Sequence, residues 1–354
     1  IVDDSALMRK VLRDMLESDG EFEVVGTARD GADAVLKARE LKPDVVTMDI
    51  NMPNLDGLTS LQYIVNEKIC PVVMVSSLTT ENSITTFEAI ELGAFDYVAK
   101  PGGTVSAKMD SVAAELKEKL KAAVKSKNKF QKRSLEELKK ERKQKFIKKS
   151  SDKTEKKIKY TGELKAVVIG ISTGGPRTIF DVVPYLRADL NAVYFLIQHM
   201  PPNFTKSYAE RLNNNSELDV KEAAAADVVA PGKMFVGKGG YHLTLHKKLD
   251  NTIIIRTPST PQHLFMPSVD ICMESVLEIF GKNTIGVLMT GMGEDGAKAM
   301  VKIRQAGGWT IAESEETAIV FGMPARAIEY GGADIVLPSY KIAAAINEAI
   351  QKTT

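Results

Sequence analysis

Short apolar runs rich in β-branched residues alternate with stretches in which apolar side chains recur every three or four positions, and they do so in two blocks. The first block holds Val24-Val25-Gly26, Asp44-Val45-Val46-Thr47-Met48, Pro71-Val72-Val73-Met74-Val75 and Asp96-Tyr97-Val98-Ala99. The second holds Ala166–Ile171, Ala192–Ile197, Ile285–Met289, Trp309–Ala312 and Asp334–Leu337. Short unbroken runs of this kind predict strands buried on both faces, and the amphipathic stretches between them predict crossover helices. Each block therefore reads as a doubly wound parallel sheet of the α/β class, whose functional edge lies at the carboxyl ends of its strands.

Between the blocks the pattern lapses. Val112, Leu116, Leu120 and Val124 have the spacing of a last helix for the first block, and beyond them the chain is rich in Lys, Ser, Asn and Gln. Residues 125–159 carry sixteen Lys or Arg against five Asp or Glu, so a net charge of +1 conceals a local +11. Such a tract can attract nucleic acid or an anionic surface. It lacks interleaved aromatics and any base-reading motif, so a solvated linker is expected and no nucleic-acid partner. The division is then residues 1–125, a basic linker at 126–162, and 163–354.

Composition adds bounds. No apolar run nears the ~20 residues of a membrane helix and no signal pattern opens the chain, which predicts a cytoplasmic protein without membrane insertion. Cys70 and Cys272, the only cysteines, fall in different blocks, which speaks against a disulfide and against a cysteine-based metal cluster. The chain begins at Ile1 without methionine, where a strand is already ending, so a preceding segment is expected.

In the second block, Gly170-Ile171-Ser172-Thr173-Gly174-Gly175-Pro176 follows the first strand and precedes apolar positions Ile179, Val182, Val183 and Leu186 at helical spacing. Ser172 thus sits on a strand-to-helix turn, either as a nucleophile or as a helix cap. Gln198-His199-Met200-Pro201-Pro202 follows the second strand, and Thr290-Gly291-Met292-Gly293-Glu294-Asp295-Gly296 follows the third. A serine, a histidine and an aspartate just past three strand ends share one edge, the requirement for a nucleophile, a base and an orienting acid. Of the other histidines, His242 and His246 lie in an alternating stretch and His263 in a proline-flanked loop, which leaves His199 best placed as base. Gly-x-Ser-x-Gly matches the nucleophile elbow of α/β-hydrolases, but there the acid precedes the histidine. The glycines fit neither GxGxxG nor a P-loop.

In the first block, Asp3-Asp4, Asp49, Ser76 and Lys100-Pro101 stand at successive strand ends. Carboxylates converging on one edge are turn residues or caps, or else they hold a hard cation such as Mg²⁺. This set resembles the receiver domain of bacterial response regulators over about 120 residues. The resemblance implies a flavodoxin-like fold, phosphorylation of Asp49 by a chemotaxis histidine kinase, Mg²⁺ held by Asp3, Asp4, Asp49 and the Asn51 carbonyl, Lys100 against the phosphate, and Ser76 and Tyr97 as switch residues.

The motifs at Ser172, His199 and Asp295, with Pro267-Ser268-Val269-Asp270 and Phe321-Gly322-Met323-Pro324, resemble the catalytic domain of the chemotaxis protein-glutamate methylesterase family, which also carries an N-terminal receiver and a linker. The resemblance implies a Rossmann-like domain, with Ser172 as nucleophile, His199 as general base, Asp295 as orienting acid, the Met292 amide in the oxyanion hole and Thr173 assisting. It implies phosphorylation-activated hydrolysis of glutamate γ-methyl esters on methyl-accepting chemotaxis receptors, with no cofactor for that step, and in some members deamidation of receptor glutamines. Family members often carry arginine before Pro-Ser-Val-Asp and asparagine three residues earlier, where this chain has Met266 and His263.

Overall fold

A computed structural model describes residues 1–77, 80–100, 106–130, 160 and 162–352. Pro101 and most of the expected linker lie outside them. The chain divides into two compact units, residues 1–157 and 158–354.

In the first unit β1 (Val46–Met48), β2 (Val72–Ser76) and β3 (Asp96–Ala99) form a parallel sheet in that order. Every residue of β1 and β2 is buried, as an unbroken apolar run requires once helices cover both faces. Ser5, Asp30 and Asp56 start three of the helices by accepting a backbone N–H of the first turn. The last helix, Ser106–Phe130, buries Leu116, Leu120 and Ala123, whereas Val124 comes to the surface. It runs five residues into the segment read as linker. The strand expected at Val24–Gly26 does not form. Val25 is exposed, and the pairing of this segment is confined to isolated bridges from Val2 to Ala28 and Met48.

The second unit is built on β4 (Lys165–Ile171), β5 (Ala192–Gln198), β6 (Asp219–Glu222), β7 (Lys233–Val236), β10 (Thr284–Leu288), β11 (Trp309–Glu313) and β12 (Ile335–Leu337). An antiparallel hairpin of β8 (Thr244–Lys247) and β9 (Ile253–Arg256) stands beside it. The large sheet is parallel throughout, in the order β12-β11-β10-β4-β5-β7-β6. The chain starts at β4, winds outward through β5, then returns to the other side of β4 at β10. The strand order therefore reverses beside β4, and a crevice opens there at the carboxyl ends.

The helix expected after Ser172 is broken. One short turn, Gly175–Thr178, gives way to two 3₁₀ turns, Ile179–Asp181 and Val183–Tyr185. Pro184 is the cause, since it has no N–H for the carbonyl four residues back and its ring collides with that carbonyl. The apolar positions 179, 182, 183 and 186 are nonetheless buried, so the spacing reported the core correctly.

The helix Val269–Phe280 fixes the site from below. Val269, Cys272, Met273 and Val276 are fully buried on its inner face, the valines and the methionine each contributing roughly 1.5–3 kcal/mol by removal from water. It lies so close to β4 at Gly170 that a Cβ there would stand 2.4 Å from Val269. Its first turn is thereby set beside the strand ends. Both cysteines are buried, and neither is in a disulfide. Among the described residues no helix is long and apolar enough to cross a membrane.

Candidate active site

Strand pairing continues past the strand ends and sets the loops in register. His199 N–H donates to the Ile171 carbonyl at 3.1 Å and Ser172 N–H to the Thr290 carbonyl at 2.9 Å, so the segments after β4, β5 and β10 lie side by side. Ser172 is not the helix cap, since Gly174 holds that position without a side-chain bond. Its hydroxyl instead lies 3.1 Å from His199 Nδ1, and His199 Nε2 lies 2.7 Å from Asp295 Oδ2.

Asp295 decides which way these bonds run. Burial alone would raise its carboxyl, but the His199 bond and the N–H groups of Val269 and Asp270 outweigh burial and hold the pKa at about 2. An ionised carboxylate only accepts, so the imidazole proton sits on Nε2 and Nδ1 is left to accept from the Ser172 hydroxyl. What anchors the acid leaves no mark in the local sequence around Asp295. Ser268 Oγ donates to Asp295 Oδ1 at 2.9 Å, Val269 N–H to Oδ2 at 2.7 Å and Asp270 N–H to Oδ1 at 3.0 Å. Pro-Ser-Val-Asp is thus a helix start whose free donors close around a carboxylate.

A second brace is equally hidden in the sequence. Glu313, the fully buried last residue of β11, accepts the Thr290 N–H at 2.7 Å and the Thr317 hydroxyl at 2.8 Å. Thr290 Oγ1 donates in turn to the Thr173 carbonyl at 2.9 Å. A charged residue ending a strand reads as exposed, and only burial reveals it. Gly291 passes so near the candidate nucleophile that a Cβ would stand 2.7 Å from Ser172 Cβ and 2.3 Å from Met323 Sδ. The next residue is Met292, and its N–H has no hydrogen-bond partner among the described residues. His246 is in β8, while His242 and His263 meet in a loop beside the site. At the departures from the family pattern, Met266 gives its carbonyl to the Gly240 N–H at 2.9 Å, and His263 stands over the backbone of Phe265.

In the first unit Asp3, Asp4 and Asp49 bring one carboxylate oxygen each to within 4.8 Å of one another. Asp3 and Asp49 are buried and Asp4 is exposed. Lys100 Nζ stands 2.8 Å from Asp3 Oδ2 and 2.7 Å from Asp49 Oδ2. Burial raises the Asp49 carboxyl above its ordinary range against the pull of Lys100, with the Asp3 charge adding to the rise. Three hard oxygen donors at that spacing suit a cation such as Mg²⁺. Ser76, at the end of β2, and Tyr97, edge-on to Phe87 at 6.3 Å, are buried, and Asn51 is exposed two residues beyond Asp49.

Residues 167–346 match the family described as CheB methylesterase and residues 1–107 the response regulator receiver domain. A protein of Syntrophomonas wolfei named protein-glutamate methylesterase/protein-glutamine glutaminase 3 is 58% identical over 99% of both chains. One of Caldanaerobacter subterraneus with the same activity name is 49% identical over 97% of this chain and 93% of its own. The crystal structure of the Thermotoga maritima CheB methylesterase catalytic domain superimposes with a TM-score of 0.51 at 41% identity, covering 54% of this chain and all of that one. The chain belongs to the CheB methylesterase family, protein-glutamate methylesterase/protein-glutamine glutaminase enzymes that carry a response regulator receiver domain.

Proposed function

We propose that the chain hydrolyses glutamate γ-methyl esters on methyl-accepting chemotaxis receptors, with Ser172, His199 and Asp295 performing the chemistry. The observation that carries this reading is the hydrogen-bonded run from Ser172 through His199 to an ionised Asp295 at the switch point of the sheet. Ser172 Oγ attacks the ester carbonyl while Nδ1 of His199 takes its proton. The tetrahedral oxyanion is held by the Met292 N–H, and collapse breaks the bond to methoxide, which leaves as methanol with the proton returned from Nδ1. Water, deprotonated at the same nitrogen, then attacks the acyl-enzyme and frees the glutamate carboxylate and the serine. Asp295 stays ionised throughout and supports the imidazolium that forms twice per cycle. Thr173, braced through its carbonyl, keeps the turn in shape. A primary amide meets the same steps with ammonia leaving, so receptor glutamines are a second substrate.

The receiver controls the rate. Asp3, Asp4, Asp49 and the Asn51 carbonyl would hold Mg²⁺, which offsets charge during phosphoryl transfer from a chemotaxis histidine kinase to Asp49. Lys100 faces the added charge, and Ser76 and Tyr97 reposition around it. Methanol release from methyl-labelled receptor membranes should rise when Mg²⁺ and acetyl phosphate are added to the full chain. Asp49→Asn should abolish that rise and leave basal release unchanged. A rise that survives the substitution would remove Asp49 from the reading, and no release from the wild-type chain on methylated membranes would remove the esterase.

Gly291→Ala tests the close approach of the third loop. The new methyl group cannot fit between Ser172 and Met323 without moving the turn, and a displacement of about 1 Å costs on the order of a hundredfold in rate. The expected result is that loss in kcat with an unchanged far-ultraviolet circular dichroism spectrum. Wild-type turnover would mean that the turn gives way freely.

A further inference from the structure

The loop from Ser259 to Pro267 connects β9 to the helix that holds Asp295, and both of its stems are tied down. His242, buried to 1% exposure, takes the Ser268 N–H on Nδ1 at 3.3 Å, which leaves Nε2–H to donate to the Pro261 carbonyl at 2.9 Å. At the other stem Gly240 N–H donates to the Met266 carbonyl. Within the loop His263 Nδ1 lies 3.2 Å from both the backbone nitrogen and the carbonyl oxygen of Phe265. Leu264 points outward at 81% exposure, and Phe265 turns inward and is half-buried.

The Phe265 ring lies flat on His199, with centroids 4.0 Å apart and planes 4° from parallel. Two neutral aromatic rings favour an edge-on or offset arrangement, because their faces carry like partial charge. Parallel planes at this centroid separation suit such an offset stack, and the phenyl face also attracts a cation laid over it. His199 becomes a cation at each proton transfer in the proposed cycle. The stack also covers one face of the imidazole, so the ring cannot turn about its Cβ–Cγ bond away from the plane in which Nδ1 meets Ser172 and Nε2 meets Asp295.

We propose that Phe265 is a positioning residue for His199, a phenyl plate held by the anchored 259–267 loop that fixes the plane of the imidazole and accepts its transient charge. The proposal rests on the esterase reading, and its test separates the two. In the full chain with Mg²⁺ and acetyl phosphate, Phe265→Leu keeps an apolar side chain and removes the aromatic face. It should lower kcat for methanol release about tenfold or more while KM stays within about twofold, since the misplaced group acts on the reaction and not on binding. Phe265→Tyr and Phe265→Trp restore a face and should return kcat to within about threefold of wild type, a rescue that a merely space-filling role does not require. Proton NMR gives a signature independent of turnover. The two carbon-bound ring protons of His199, assigned by their absence in His199→Gln, should resonate upfield under the phenyl ring current and move downfield in Phe265→Leu.

The proposal is overturned by a Phe265→Leu chain whose kcat is within about twofold of wild type, by Tyr and Trp variants no better than Leu, by an effect confined to KM, or by unshifted His199 resonances in the wild-type chain. Absence of methanol release from the wild-type chain overturns the esterase reading instead, and the resonances still decide whether the stack exists.

Discussion

Ser172→Ala is expected to reduce methanol release by several powers of ten while leaving the fold unchanged. The hydroxyl is the group the proposed cycle cannot replace, because without it the His199 base has no nucleophile within reach and water must attack unaided. Groups that act as one unit lose most of their effect when a single member goes, so Ser172→Ala and the double variant with His199→Gln should be nearly equally slow. A residue of activity over uncatalysed hydrolysis should remain from the Met292 N–H and from binding. The side chain is small and its neighbours are anchored from elsewhere, so thermal unfolding should move little. Turnover within tenfold of wild type would remove Ser172 as nucleophile and leave a family member whose chemistry lies elsewhere.

Asp295→Asn should be nearly as severe, on the order of 10⁴ in kcat. The substitution keeps the shape and reverses the hydrogen-bonding sense of one atom. Four donors converge on the carboxylate, from His199, Ser268, Val269 and Asp270, and an amide can accept on one side only. The other side would set N–H against N–H, or force the imidazole into the tautomer with its proton on Nδ1, where it can no longer take the proton of Ser172. A stability change with a definite pH dependence accompanies the loss. The folded-state pKa of about 2 lies below the ordinary 3.8, so the carboxylate contributes stability that is fully present above about pH 4 and disappears as the pH falls toward 2. Its size is on the order of 2 kcal/mol. Denaturant unfolding of the wild-type and Asp295→Asn chains should therefore differ at pH 7 and converge at the acid end. A gap that stays constant with pH would mean that the ionised form of Asp295 contributes nothing to the fold.

Much of this architecture was legible because the strands are buried on both faces. β4, β5 and β10 announce themselves as unbroken apolar runs, and Ser172, His199 and Asp295 could be set on one edge simply because each follows such a run. The structure brings the three within hydrogen-bond distance. What stayed hidden is what depends on distant partners. Ser268, Val269 and Asp270 serve a carboxylate some 25 residues further on, Thr290 is braced by Glu313 from the neighbouring strand, and His242 joins two stems of a loop. None of these pairings leaves a mark in local spacing. Where local spacing misled after Ser172, the reason is also local. Pro184 cuts the helix that the apolar period implied.

The reversal of strand order beside β4 carries a consequence for synthesis. Ser172 and His199 lie 27 residues apart and leave the ribosome close together, whereas Asp295 follows His199 by a further 96 residues. The carboxylate arrives in the loop after β10, the strand that must return across the sheet to the far side of β4. A nascent or truncated chain ending before that strand can hold the serine and the imidazole but lacks the acid, the Thr290 hydroxyl that braces the Thr173 carbonyl, and the loop that approaches the nucleophile. In the proposed cycle, hydrolysis therefore waits on translation through β10 and the loop that carries Asp295, and a copy that stops short of them has no orienting acid.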